Sequence, residues 1–194
     1  MKPFVKSNKN DFIDAEAIAE AVDRENMRFV PIKTDDQLDL QALHRVRDRL
    51  MARRTALINQ IRAFLLERGI VFAKSPIRLK EAIPEVLENA NENLTPRMRN
   101  LVAMLWSEWK DLELQIVEMN DEVERIASSD AACLRLRQIP GIGPLVATAI
   151  VASIGNGAAF RKGREFAAWL GLLPKQHSTG GKARLYGISK RGNC

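Results

Sequence analysis

Two stretches of this 194-residue chain repeat apolar side chains at three- and four-residue intervals for many turns, and they constrain the fold most. The first begins at Thr34, whose two following aspartates mark a helix start, and runs to Gly69. Leu43, Val46, Leu50, Leu57, Ile61, Phe64 and Leu65 form its predicted stripe. The second begins at Thr95-Pro96, an N-cap followed by a proline at the first helical position, and runs to about Ala127. Leu101, Leu105, Trp109 or Leu112, Ile116, Met119 and Val123 mark its seam. Rods of this length, each with one apolar face, predict a mostly α protein, and an uncovered seam would serve as a coiled-coil interface. Between them, residues 70–95 read as a connector with one short helix.

The flanks differ in kind. Phe12, Ile13, Ala17, Ile18, Ala21 and Val22 have helical spacing, and "MRFVPIK" (27–33) reads as a strand. "SSD" (128–130) breaks the second rod, and the expected domain boundary lies there. Beyond it, Leu136 and Ile139 close a short helix, Pro140-Gly141-Ile142-Gly143 turns the chain, and Pro144 opens another helix. Leu145, Ala149, Ile150 and Ala152 are its expected packing face. This is a helix-hairpin-helix pattern. Gly141 and Gly143 let backbone approach a ligand, and the unpaired amides of the following helix favour an anion, a nucleic-acid phosphate above all. A plain turn that needs glycine for geometry is the alternative.

Charge points the same way. Residues 130–194 carry 10 Lys/Arg against 2 Asp/Glu, whereas residues 70–129 carry 7 against 11. The positive excess therefore belongs to the last third, where a polyanion is the expected partner and a merely soluble basic surface the alternative. "FRKGREFAAWLGLLP" reads as an amphipathic helix with Phe160, Phe166, Ala167, Trp169 and Leu170 inward. Arg161, Lys162 and Arg164 would face solvent or phosphate. Lys175, Lys182, Arg184, Lys190 and Arg191 then surround glycines in what reads as a flexible cationic loop, with His177 and Ser178 inside it. On local grounds Ser178 is a turn residue. No apolar run spans a membrane, and no signal-peptide core opens the chain. Cys133 and Cys194 form neither a disulfide framework nor a zinc site, and fit a reducing cytoplasm. His44 and His177 read as surface histidines.

Asp11 and Asp14 stand three apart on one helical face. Two such carboxylates can share a divalent cation. Equally, Asp11 can be an N-cap with Asp14 favoured by the helix dipole.

Taken in order, "PFVKSNKNDFIDAEAIAEA", "RFVPIKT", "IPGIGPLVATAIVASIG" and "FAAWLGLLPKQHSTGGKARLYGISKRGN" resemble the insertion-sequence transposases of the IS-110 / IS-1111 group over nearly the whole chain. That resemblance implies a remnant of an RuvC-like α/β domain over 1–69, a helical, coiled-coil arm over 70–129, and a transposase domain with the helix-hairpin-helix over 130–194. It implies that Asp11 and Asp14 are the last two acids of a DEDD set that binds Mg²⁺. Ser178, or Thr179 beside it, would be the nucleophile on DNA. DNA, a structured guide RNA and a second copy docked through the arm are the implied partners, on the nucleoid of a bacterial cytoplasm. The first Asp and the Glu of that set have no match in this chain, so it is expected to be a partial copy that does not cleave DNA alone. Two other readings remain: a nucleic-acid-binding helical module without chemistry, and a dimerising coiled-coil protein whose basic tail is incidental.

Overall fold

A computed structural model describes residues 11–24, 31–89, 94–179 and 182–188. It forms two compact units, residues 1–32 and residues 33–194. In the first unit, α1 spans Asp11–Val22. Its small residues Ala17 and Ala21 are buried, while Phe12, Ile18 and Val22 are exposed, so the predicted apolar face is only partly used. Of the expected strand over 27–33, residues 27–30 lie outside the described residues, and 31–33 take no strand pairing.

The second unit is built on two long helices, α2 (Asp35–Leu66) and α4 (Pro96–Ser129). Thr34 caps α2 in a reciprocal box: its hydroxyl accepts the Gln37 amide, and the Gln37 side chain accepts the Thr34 amide. Thr95 caps α4 one-sidedly, its hydroxyl accepting the Met98 amide, with Pro96 in the first turn. Across the pair, Arg47 meets Asn120 at 2.7 Å, Arg54 meets Glu113 at 3.4 Å and Arg53 meets Glu108 at 2.7 Å. Residue numbers rise on one helix as they fall on the other, so the rods run antiparallel. Their seams are covered by each other and by α3 (Pro76–Glu88), in one core that includes Leu57, Ile61, Leu65, Leu79, Ile83, Val102, Trp109 and Leu112. The Arg99 guanidinium closes α3 by donating to the carbonyls of Val86, Leu87 and Asn89.

Two of the predicted seam positions are wrong. Val46 and Leu101 are exposed, and Leu40 and Val102 are buried in their place. The helices turn 3.6 residues per turn, so a stripe read at strict three-four spacing drifts off the buried face near its ends.

Asp130 ends α4 and begins α5 (Ala131–Arg137), and α6 follows over Pro144–Ile154. A second core of small side chains, Ala127, Cys133 and Ala147, lets α4, α5 and α6 approach closely. The expected divisions at 69/70 and 129/130 both fall inside this second unit, because α2, α4 and α6 pack on one another. After α6 come α7 (Gly163–Trp169) and an antiparallel ribbon, β1 (Pro174–Thr179) and β2 (Lys182–Ile188). The fold is mostly α, as predicted. No described helix is long and apolar enough to cross a membrane.

Candidate nucleic-acid interface

The glycine turn is tightly organised. Asp130 caps α5 by accepting the Cys133 amide at 2.7 Å. The chain leaves α5 through successive turn bonds, Ile139 N–H to the Leu136 carbonyl and Ile142 N–H to the Ile139 carbonyl, both at 3.0 Å. Gly141 stands at φ +91°, where a side chain is strained, so the turn itself demands glycine there. Gly143 does not share that demand. Its φ of −89° and ψ of −179° suit any residue, and a Cβ there would meet nothing within 4 Å. It is the N-cap of α6 and offers no side-chain acceptor. Pro144 has no N–H, and the Ala147 amide bonds the Gly143 carbonyl at 3.0 Å. Leu145 and Val146 therefore present helix-start amides with no partner inside the helix, and both side chains are exposed.

Behind the turn, α6 is clamped from α2 by three polar side chains one helical face apart. Gln37 Nε2 donates to the Val151 carbonyl at 3.3 Å, and Gln41 Nε2 to the Ala152 carbonyl at 3.4 Å. His44 Nε2 lies 3.0 Å from Thr148 Oγ1. Thr148 is fully buried, and its hydroxyl donates to the Pro144 carbonyl at 2.8 Å, so it accepts from an Nε2-protonated imidazole. His44 is thus not the surface histidine its sequence context predicted. Burial lowers its pKa, Asp48 opposes that, and Arg47 adds to it. Thr148 and Ala147 are buried where Leu145 was expected, and Leu145 faces outward. The sequence signal that was available is the small-residue pair, which marks close helix approach. Gly155, at φ +60°, lets the chain leave α6 where a Cβ would come within 3.1 Å of Gln37 Nε2.

Downstream, Phe160, Phe166 and Trp169 form an aromatic cluster with centroids 5.4–6.0 Å apart. No residue of α7 is fully buried, so the expected inward set is half-covered rather than core. Arg161, Lys162 and Arg164 are exposed, and the Arg161 amide is held by Glu165 Oε2 at 3.0 Å. Over its described residues the expected flexible loop is instead an antiparallel β-ribbon, with Gln176 opposite Leu185, His177 opposite Arg184, and a register shift between Pro174 and Gln176. Lys175 and Arg184 are exposed on it. Ser178 and Thr179 lie on β1, opposite Ala183 and Lys182. Lys190 and Arg191, like Cys194, fall outside the described residues.

Asp11 and Asp14 occupy the first turn of α1, with Asp11 exposed and Asp14 half-buried. Asp11 is itself helical, which leaves its carboxylate outside the cap position. Among the described residues no group of three or more His, Cys, Asp or Glu side chains converges to hold a metal ion. Two carboxylates alone do not make a divalent-cation centre of the two-metal kind. Cys133 is buried, and burial with the neighbouring Asp130 pushes its thiol up to about 11, which makes it inert.

Comparison with known proteins matches both ends of the chain. Residues 133–194 fit the model described as transposase IS116/IS110/IS902 family, and residues 1–69 fit a transposase model of the DEDD IS110 type. The chain is 46% identical over 193 residues to the transposase for insertion sequence element IS1111A of Coxiella burnetii. It is 44% identical to a probable family 20 transposase of Pseudomonas aeruginosa and to the transposase for insertion sequence element IS1328 of Yersinia enterocolitica. Each alignment covers 100% of this chain but only 53–57% of the relative, so the chain spans about half the length of the curated relatives it matches.

Proposed function

Because this chain belongs to the IS110 group of insertion-sequence transposases, we propose that it binds DNA and contributes to the strand cleavage and rejoining of transposition. Similarity over 100% of the chain is the observation that carries this reading. The exposed cations Arg161, Lys162 and Arg164, with Lys175 and Arg184 on the ribbon, support it. On this reading residues 1–69 belong to an RuvC-like domain, 70–129 to a helical arm, and 130–194 to a transposase domain.

The nucleic-acid-binding set is Gly141, Gly143, Arg161, Lys162, Lys175, Lys182, Arg184, Lys190 and Arg191. Ser178 is the nucleophile: its Oγ bonds to a backbone phosphorus and the ester bond to the departing strand end breaks. The matched DEDD family is metal-dependent, and we assign Mg²⁺ to Asp11 and Asp14. Since the described residues supply no third ligand, the remaining acids come from elsewhere in an active assembly, and no step is routed through the ion. Exposed Met104, Leu114 and Val117 on α4 are the apolar surface left for a second copy. A structured guide RNA and a place on the bacterial nucleoid complete the assignment. A non-catalytic nucleic-acid-binding module is the second reading, favoured by that same lack of a ligand cluster.

The test has two arms. The chain alone binds duplex DNA with an affinity that falls steeply with salt, and does not cleave it. In a protein of the relatives' full length, Asp11→Asn and Ser178→Ala each abolish strand exchange and leave binding intact. Exchange that survives both substitutions overturns the catalytic assignment, and a chain that ignores DNA and RNA in dilute buffer overturns the binding one.

A further inference from the structure

The clamp between α2 and α6 fixes how the two helices run. Gln37, near the start of α2, bonds the Val151 carbonyl and lies against Gly155. His44, two turns further along α2, meets Thr148. The two helices therefore run in opposite directions, and the first turn of α6, with its unpartnered amides, is carried toward the turn of α2 that follows His44. That turn holds Arg45, Arg47, Asp48 and Arg49. Arg47 is engaged: it bonds Asn120 and lies 3.6 Å from Asp48, whose charge it offsets. Arg45 and Arg49 are exposed, and their side chains make no hydrogen bond or ion pair with any described residue. They stand one turn apart on one face, about 6 Å along the axis.

The rest of that face suits the same partner. Beyond Asp48, α2 contains four arginines and no acidic residue to its end. Arg53 and Arg54 are paired across to Glu108 and Glu113 of α4. Ala52, Ala56 and Ala63 continue the face past Arg49, all exposed, and no large apolar side chain is exposed between Val46 and Leu66. α4 is the reverse, with seven acidic residues against four basic ones. The paired rods are thus electrically two-sided, which the summed charge of residues 70–129 conceals. A protein helix laid on α2 past Val46 would find no large apolar group to bury. A phosphate backbone finds two unengaged guanidinium groups, beside alanines that let it come close.

We propose that the outward face of α2 is a further DNA contact, in which Arg45 and Arg49 hold the phosphate backbone of the duplex that the glycine turn engages, and that duplex passes over Ala52. This rests on the DNA-binding reading above, and it extends the binding surface from the last third of the chain to the first rod. The contact positions the duplex and reads no base.

The experiment measures fluorescence anisotropy of the full chain on a 20-base-pair DNA duplex, and on an RNA duplex of the same sequence, from about 50 to about 200 mM salt. Arg45→Ala and Arg49→Ala each weaken DNA binding several-fold and lower the log–log salt slope by about one. Arg49→Lys keeps the wild-type slope, because a phosphate contact needs charge. Lys110→Ala takes the same charge from α4, where Lys110 lies over the Trp106 ring, and leaves slope and affinity as they were. Ala52→Glu puts a carboxylate in the path of the duplex and weakens binding at least as much as either arginine variant. Melting of Arg45→Ala and Arg49→Ala is unchanged, since neither side chain bonds a described residue and alanine favours a helix. The proposal is overturned if both arginine variants keep the slope, if Lys110→Ala lowers it equally, if Ala52→Glu binds as tightly as the wild type, or if the losses appear on the RNA duplex alone. A wild-type chain that binds neither duplex is a separate result, and it removes the DNA-binding reading itself.

Discussion

Gly143→Ser separates a glycine kept for folding from one kept for binding. The backbone at Gly143 is extended and open to any residue, and a Cβ there meets nothing within 4 Å. Serine is a strong N-cap, and from this position its hydroxyl accepts a helix-start amide that glycine leaves bare. The cap is worth about 0.3 kcal/mol over glycine, and reduced freedom of the unfolded chain adds roughly 0.4–1 kcal/mol. For a chain of this size about 1 kcal/mol raises Tm by roughly 2–4 °C. The same hydroxyl occupies the amides that a phosphate needs. Losing one hydrogen bond to a charged group costs about 1.5 kcal/mol, or roughly tenfold in Kd. Stability and binding therefore move in opposite directions, which damage to the fold cannot imitate. Thermal melting and fluorescence anisotropy on a 20-base-pair duplex at low salt measure the two. A variant that melts higher and binds DNA as tightly as the wild type would refute the phosphate role of the turn.

Gly141→Ala is expected to do the opposite to the fold, because φ of +91° costs a side chain about 1–2 kcal/mol, read as a Tm drop of several degrees. Thr148→Val strips the acceptor from His44 Nε2 in a buried contact, at a cost of about 1–3 kcal/mol, and a double-mutant cycle with His44→Leu should show the two positions coupled. His44 has a folded pKa below its unfolded value of 6.5, so the unfolded chain binds the extra proton first. Its neutral form thus stabilises the fold above about 6.5, and that stability is lost as pH falls through the lowered folded value. His44→Gln should flatten the decline in Tm between pH 7 and pH 5. Gly155→Ala combines a left-handed φ with a 3.1 Å approach to Gln37, and Gln37→Ala should relieve the crowding but not the strain.

The helices and their starts were legible because capping is local chemistry. Thr34 with Gln37 and Thr95 with Pro96 declare themselves within four residues. Which residues fill the seam was less legible, because Val46 and Leu101 sit where the stripe drifts away from its partner helix. The α2–α6 clamp left no local signature: Gln37 and Gln41 are ordinary helix residues until the end of a helix more than a hundred residues away brings its carbonyls to them. His44 was misread for the same reason. The ribbon was taken for a loop because glycines and lysines dominate its composition, yet His177, Leu185, Tyr186 and Ile188 carry the alternation of strands. Of the candidate site, the hairpin and the cations were readable in order. That the two glycines differ in kind was not, since φ is no property of a sequence.

Asp130 is a single extended residue between two helices, and its own amide, carbonyl and carboxylate are all engaged, with Ile126, Leu134 and Cys133. There is consequently no slack at the foot of α4. A twist of that 34-residue rod about its axis passes straight into α5 and swings the glycine corner with it, as a key turns a latch. Whatever grasps the far end of the rod has mechanical purchase on that glycine corner.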